Sequence, residues 1–443
     1  MTARARSLKT KAELGLAEVF AAARPALPGG AAVAASRAAA FDRFAGAGLP
    51  HGRVEAWKYT DLRRLMPDAK PVAPAPDAAA RALAADAGKI FAGLGFRRLV
   101  VVDGAFVPEL SDLAKLEPGL GIGATAAALG RDEPLLAPSV DGTGAAEDSA
   151  LALNAALAGD GIAVEVAAGA AIDRPIHLAF VTTSATPTAT FTRSQLLVGA
   201  HARVTVIETH EGPDQTAYQV NAALQLVAGD DARIDHIKVI REGDAALHLG
   251  TLLATVGARA RFGGLAFTTG GAVIRNQMFL ELAGSETVVD LRGASLLAGK
   301  QHADTTLAID HAAPGGQSRE LFKAVVDDEA RVVFQGKITV RQQAQKTDAR
   351  MMTRALLLSD AAEANSKPEL EIFADDVQCG HGATTGTLDD QLKFYLMARG
   401  IPDKEAEALL IQAFAAEVVE AIEHEDVREA LLAATLAWLG ERG

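Results

Sequence analysis

The residues Gly199-Ala200-His201-Ala202-Arg203 return as Gly229-Asp230-Asp231-Ala232-Arg233 and again as Gly257-Ala258-Arg259-Ala260-Arg261, with a weaker version at Gly284-Ser285-Glu286-Thr287. These starts are 30, 28 and 27 residues apart, and Asp327-Asp328-Glu329-Ala330-Arg331 reads as a later return of the same turn. Behind each turn runs an alternating stretch such as Val204-Thr205-Val206-Ile207 or Ile234-Asp235-His236-Ile237. Alternation sends successive side chains to opposite faces of a strand. A unit of one turn and one or two strands has nothing within itself against which to bury its apolar face, so such units must stack. The spacing therefore predicts a mainly β protein whose core, residues 161–384, is a right-handed parallel β-helix (a β-solenoid). An immunoglobulin-like sandwich fits less well, because it closes within about 100 residues and does not repeat one turn so regularly.

Outside this core the pattern turns helical at both ends. Residues 1–95 form an Ala-rich helical region that ends in a connector stiffened by Pro67, Pro71, Pro74 and Pro76. Residues 96–160 lead into the core: Arg97 to Val102 reads as a strand, Asp103-Gly104 as a tight turn into Ala105-Phe106-Val107, and Asp148 to Leu157 as a short helix. Residues 385–443 read as three helices. Thr387 with Asp390 resembles a capping box, Leu388, Leu392, Tyr395 and Leu396 make a stripe, and Gly400 stands where a C-cap belongs. A second helix carries Leu410, Phe414, Val418 and Ile422 four residues apart, and a third runs from Asp426 to Leu439.

Composition narrows the function classes. The chain of 443 residues is 49% hydrophobic and carries a net charge of −13, so it lacks the clustered basic surface that nucleic-acid binding needs. No apolar run reaches the ~18 residues of a membrane span. The stretch Met1 to Lys11 is basic, but no apolar segment follows it as a secretory signal would require, so a cytoplasmic protein is expected. Cys379 is the single cysteine, which rules out an internal disulfide and any complete Cys-ligated iron–sulfur site within one chain.

Cys379-Gly380-His381 supplies a thiol and an imidazole two residues apart. On a strand such residues share a face, so both donors can address one metal ion. Taken alone, a packed thiol beside a surface histidine is the simpler reading. His236, His302 and His311 stand in apparent strands and read as structural histidines. Asp375-Asp376 has the composition of a carbohydrate-cleaving pair, but neighbours on a strand face opposite ways and cannot flank one bond. Gly293 to Lys300 falls short of a phosphate loop, with five residues between its glycines and Gln301 in place of Ser or Thr.

The runs Asp310-His311-Ala312-Ala313-Pro314, Ser318-Arg319-Glu320-Leu321-Phe322-Lys323, Phe334-Gln335-Gly336-Lys337-Ile338 and, above all, Lys367 through Thr384 resemble the core of the SufB/SufD family of iron–sulfur cluster assembly proteins. Ala152-Leu153-Asn154, Pro175-Ile176-His177-Leu178 and Trp57-Lys58-Tyr59-Thr60 fit as well. The single cysteine and the Trp-Lys-Tyr-Thr element are similar to the SufD branch. This resemblance implies a non-catalytic scaffold subunit that pairs with SufB through the β-helix and with the SufC ATPase through the C-terminal helices. Leu410, Phe414 and Val418 would then be partner-binding residues. It also implies a metal-ligand role for His381, with Cys379 as its candidate companion, at a cluster site shared transiently with SufB, and possible aid in iron acquisition. The isolated chain is expected to hold no stable cluster, and its open strand edge to pair with a second copy as a homodimer. The competing readings are a stand-alone β-helix carbohydrate-active enzyme and a purely structural paralogue.

Overall fold

The computed structural model describes residues 9–134 and 140–441; most of the basic start, residues 1–8, lies outside them. Two sheets dominate, one of ten strands and one of nine. From Ile162–Val166 to Gln378–Gly386 the strands alternate between the sheets, each of eight coils giving one strand to each. Successive strands within a sheet are parallel and in register: Leu247 lies opposite Gln219 on one side and Val273 on the other. The inward parity is apolar along much of the molecule, with Val204, Val206, Leu226, Ala228, Ala254, Val256, Leu280 and Leu282 in one continuous core. This is the parallel β-solenoid that the turn spacing predicts.

The recurring turn has a physical reason. His201, Asp231, Arg259 and Glu286, the third residue of each copy, take φ between +56° and +58°, the left-handed conformation that reverses the chain in one step. The alanine that follows, Ala202, Ala232 or Ala260, is buried at the corner, where a larger side chain has no room. The leading glycine lets one turn lie on the next: a Cβ on Gly229 would stand 2.6 Å from the Ala200 nitrogen. Asp327-Asp328-Glu329-Ala330 is a correction to the sequence reading. It joins Gln317–Val326 to Arg331–Val340 on the opposite corner, stacked on Gly299, whose carbonyl accepts from the Glu329 amide at 2.9 Å. The first series continues instead through Gly315 and Lys346, also left-handed, with Glu286 donating to Pro314 and Gly315 to Gln345.

The first end of the solenoid is closed. Arg97–Val102 stacks in parallel on Ala171–Val181 and turns at Asp103 and Gly104 into Ala105–Phe106, while Leu120–Ala124 runs antiparallel along Ile162–Val166. Helices Lys11–Ala23, Ala31–Ala47 and Ser149–Leu157 share a second core. The Trp57 to Thr60 element clamps this region to the nine-stranded sheet. Trp57 donates to Asp148 at 2.9 Å, the Arg275 guanidinium lies 4.1 Å over its ring, and Thr60 bonds Asp304 and His302.

The C-terminal helices Asp403–Val419 and Glu425–Glu441 lie on the outer face of the ten-stranded sheet, along its middle strands, with Ile411, Val418, Val427 and Leu431 packed among Ile207, Val239, Phe267 and Leu296. The preceding helix, Asp390–Met397, is capped by Asp389, whose carboxylate accepts from the amides of Gln391 and Leu392; Thr387 has no part in the cap, contrary to the sequence reading. Among the described residues no helix is long and apolar enough to cross a membrane.

Candidate functional site

The last two strands, Glu363–Ile372 and Gln378–Gly386, are each paired on one side only. Register fixes what the second of them presents. Cys379 lies opposite Ala349 and His381 opposite Met351, and both partners belong to the solenoid core. Cys379 and His381 therefore stand on the inward parity of a coil that no further coil covers. His381 is exposed as a result, while Cys379 is half-buried against the core.

The same columns continue downward. Ser318 lies beneath Ala349 and Cys379, and Glu320 beneath Met351 and His381. Glu320 is only 2% exposed, and burial pushes its carboxyl up to about 8. His311, whose Nε2 is 3.1 Å from the Ser318 hydroxyl, is held down to about 4 by burial. Burial also raises the Cys379 thiol, reinforced by Asp348 and Glu320 and opposed by a hydrogen bond at the Ala349 backbone. The open end thus offers a protonated soft donor and an accessible imidazole side by side. A four-coordinate cluster iron needs further ligands from elsewhere.

The other residues singled out in the sequence are distributed differently. Leu410 and Phe414 are half-buried, and Phe414 carries the Lys323 ammonium 4.3 Å from its ring centroid. Val418 is fully buried between its helix and the sheet, so it serves the core and not a partner surface, a correction to the sequence reading. The preceding helix leaves a cluster of apolar side chains in the open, Leu392, Phe394 at 72% exposure, Tyr395 and Met397, while Leu409 and Leu436 are the exposed ones on the two helices that follow. His236 is bonded to Glu208 at 3.1 Å and His302 to Thr60 at 2.9 Å, as structural histidines would be. Asp376 sits in a turn paired with Lys346, and Gly293 lies within the strand Val288–Leu297, so neither forms a carboxylate pair or a phosphate loop. Glu320 escaped the sequence reading. The signal was its place, two residues before Phe322, on the inward parity of an apolar strand.

A β-solenoid flanked by helices, with a thiol and an imidazole at its uncovered end, is the class that fold and site define. The SufBD core domain of the SUF iron–sulfur cluster assembly system matches residues 180–414, and the SufBD N-terminal region matches residues 12–178. The chain belongs to the SufBD family of iron–sulfur cluster assembly proteins. It is similar to a SufBD family protein of Synechocystis, 32% identical over 412 residues that cover 87% of this chain and 86% of that one. It is likewise 31% identical to SufD of Escherichia coli over 392 residues, 87% and 88% of the two chains. The chloroplastic protein ABCI7 of Arabidopsis thaliana is 32% identical over 238 residues, 53% of this chain and 50% of that one.

Proposed function

We propose that this chain is the SufD-type subunit of a three-part scaffold, pairing with a SufB-type subunit through its last coil and with a SufC-type ATPase through its C-terminal helices. The observation that carries this reading is the uncovered coil itself. Two adjacent one-sided strands recruit strands of a partner, since unpaired backbone donors and acceptors are a template for pairing. On that edge the Cys379 and His381 side chains face the space a partner would enter, so a cluster can be shared between the subunits. His381 is the ligand in this reading, and Cys379 is its neighbour or second donor. The chain then assists iron entry and shapes the complex while ATP hydrolysis resides in the partner. The ATPase contact falls on the exposed Leu392, Phe394 and Tyr395. A free single cysteine suits a reducing cytoplasm. Without its partner the same edge pairs with a second copy.

Coexpression with SufB-type and SufC-type subunits of one bacterium tests the proposal. The expected product is a stable three-subunit complex, with the chain alone recovered as a colourless homodimer. A chain that stays monomeric at micromolar concentration and leaves both subunits behind would contradict it.

A further inference from the structure

The interior of the solenoid changes character part-way along its strands. On Arg203–Glu211 the inward parity runs Val204, Val206, Glu208, His210, and on Arg233–Arg241 it runs Ile234, His236, Lys238. These polar residues meet Glu242 and His248 at the corner where the chain passes to the other sheet, and all of them are buried. Glu208 receives His210 Nε2 at 2.5 Å and His236 Nε2 at 3.1 Å, with Lys238 Nζ at 3.4 Å. Glu242 lies 2.7 Å from His248 Nδ1 and accepts from the Tyr218 hydroxyl at 2.7 Å. The His210 and His248 rings meet edge to face, their centroids 4.6 Å apart.

A purely structural network would satisfy every buried nitrogen, because an unpartnered one costs about 1–3 kcal/mol. Here His248 Nε2 has no hydrogen-bond partner among the described residues. Gly250 leaves room beside it that is shared with Lys238: a Cβ there would stand 2.4 Å from Lys238 Nζ and 2.8 Å from that nitrogen. The coordinating atoms of His210, Glu242 and His248 all lie within 4.8 Å of one another. Two imidazoles and one carboxylate form the donor set of borderline divalent ions, and Glu208 behind His210 is the outer carboxylate that commonly orients such a ring. The one cation in the group, Lys238, lies 3.4 Å from Glu208 and also borders the gap at Gly250, so an incoming ion displaces its ammonium toward Glu208, and the pair leaves Glu242 as the net charge. Glu242 also lines a cleft of about 1100 Å³ between the corner and the helices, shared with Glu211, Thr269 and Trp438, which gives a route in from solvent.

We propose that His210, Glu242 and His248 form a binding site inside the solenoid for a divalent first-row transition ion, Zn2+ or Fe2+, separate from Cys379 and His381. His210 lies six strands before the strand of His381 in the ten-stranded sheet, and His248 four strands before the last strand of the nine-stranded one.

The test uses the untagged full chain, stripped with chelator and titrated with Co2+. One equivalent should produce the intense ligand-field bands of a low-coordinate site. They should be lost in His248→Gln and Glu242→Gln and retained in His381→Ala. Absence of such bands in the wild type, or their survival in His248→Gln, would overturn the proposal. If the two core variants fail to fold by circular dichroism, crystals of the wild type grown with one equivalent of Zn2+ decide the question. An anomalous peak between His210 and His248 supports the site, and peaks at the surface alone, or none, refute it.

Discussion

Glu320 is an acid buried near the open end. Its ordinary value is 4.5, and burial raises it to about 8 in the folded chain. The folded protein therefore keeps a proton that the unfolded chain releases, so this group destabilises the fold progressively as pH rises from about 4.5 to about 8 and changes little above that. The upper bound is about 5 kcal/mol, at 1.36 kcal/mol per unit of pKa. The urea midpoint of the wild type should fall between pH 6 and pH 8.5, and that of Glu320→Gln should stay nearly flat; equal slopes would show that Glu320 is not buried as an acid. Cys379 follows the same logic at one remove. Its thiol is raised by burial, so alkylation at pH 8 should be slower than that of a free thiol such as glutathione, and a faster reaction would contradict the half-buried placement. That Cys379 and His381 share a face was legible from their spacing on a strand, whereas a ligand role for His381 was suggested only by the family resemblance. Glu320 was not legible, since Ser318-Arg319-Glu320 reads as a polar edge until stacking puts its two even-numbered members inside.

The turns show how far a repeat carries a fold and where it misleads. Gly199, Gly229, Gly257 and Gly284 reveal the solenoid because each turn rests on the backbone of the one before it. Asp327 to Ala330 has the same small-residue, left-handed chemistry but serves the other corner, which composition cannot distinguish and strand order can. Gly229→Val should lower stability by about 1–3 kcal/mol through the clash with Ala200, measured by chemical unfolding. The C-terminal helices were legible as helices but not in their facing, because Leu410, Phe414 and Val418 make an apolar stripe that suits a core and a docking site equally. Packing assigns Val418 to the core and leaves Phe394 exposed. Val418→Asp is therefore expected to disrupt the packing of the helix on the sheet, lowering helicity and thermal midpoint. Phe394→Asp should leave both unchanged and remove binding of the SufC-type subunit, and a Phe394→Asp chain that still binds normally would place that contact elsewhere.

Over the whole molecule, one end is sealed and the other is not. The N-terminal region is held on the nine-stranded sheet by the Trp57 clamp, whose centre is the fully buried pair of Arg275 and Asp304. Removing the Asp304 carboxylate strands a buried guanidinium and should cost about 3–5 kcal/mol, seen as early protease cleavage of the N-terminal region from an otherwise folded solenoid. Cleavage at the wild-type rate would show that the clamp is dispensable. The open end gives the account its central claim, that the last coil presents His381 to a cluster completed by another subunit. The imidazole is exposed and flanked by Gly380 and Gly382, so its loss removes a donor without opening a cavity. The direct measurement is iron and acid-labile sulfide per purified three-subunit complex, wild type against His381→Ala, prepared without oxygen. The complex should assemble equally in both, with cluster content reduced several-fold in the variant; an intact His381→Ala complex loaded to the wild-type level would contradict the claim.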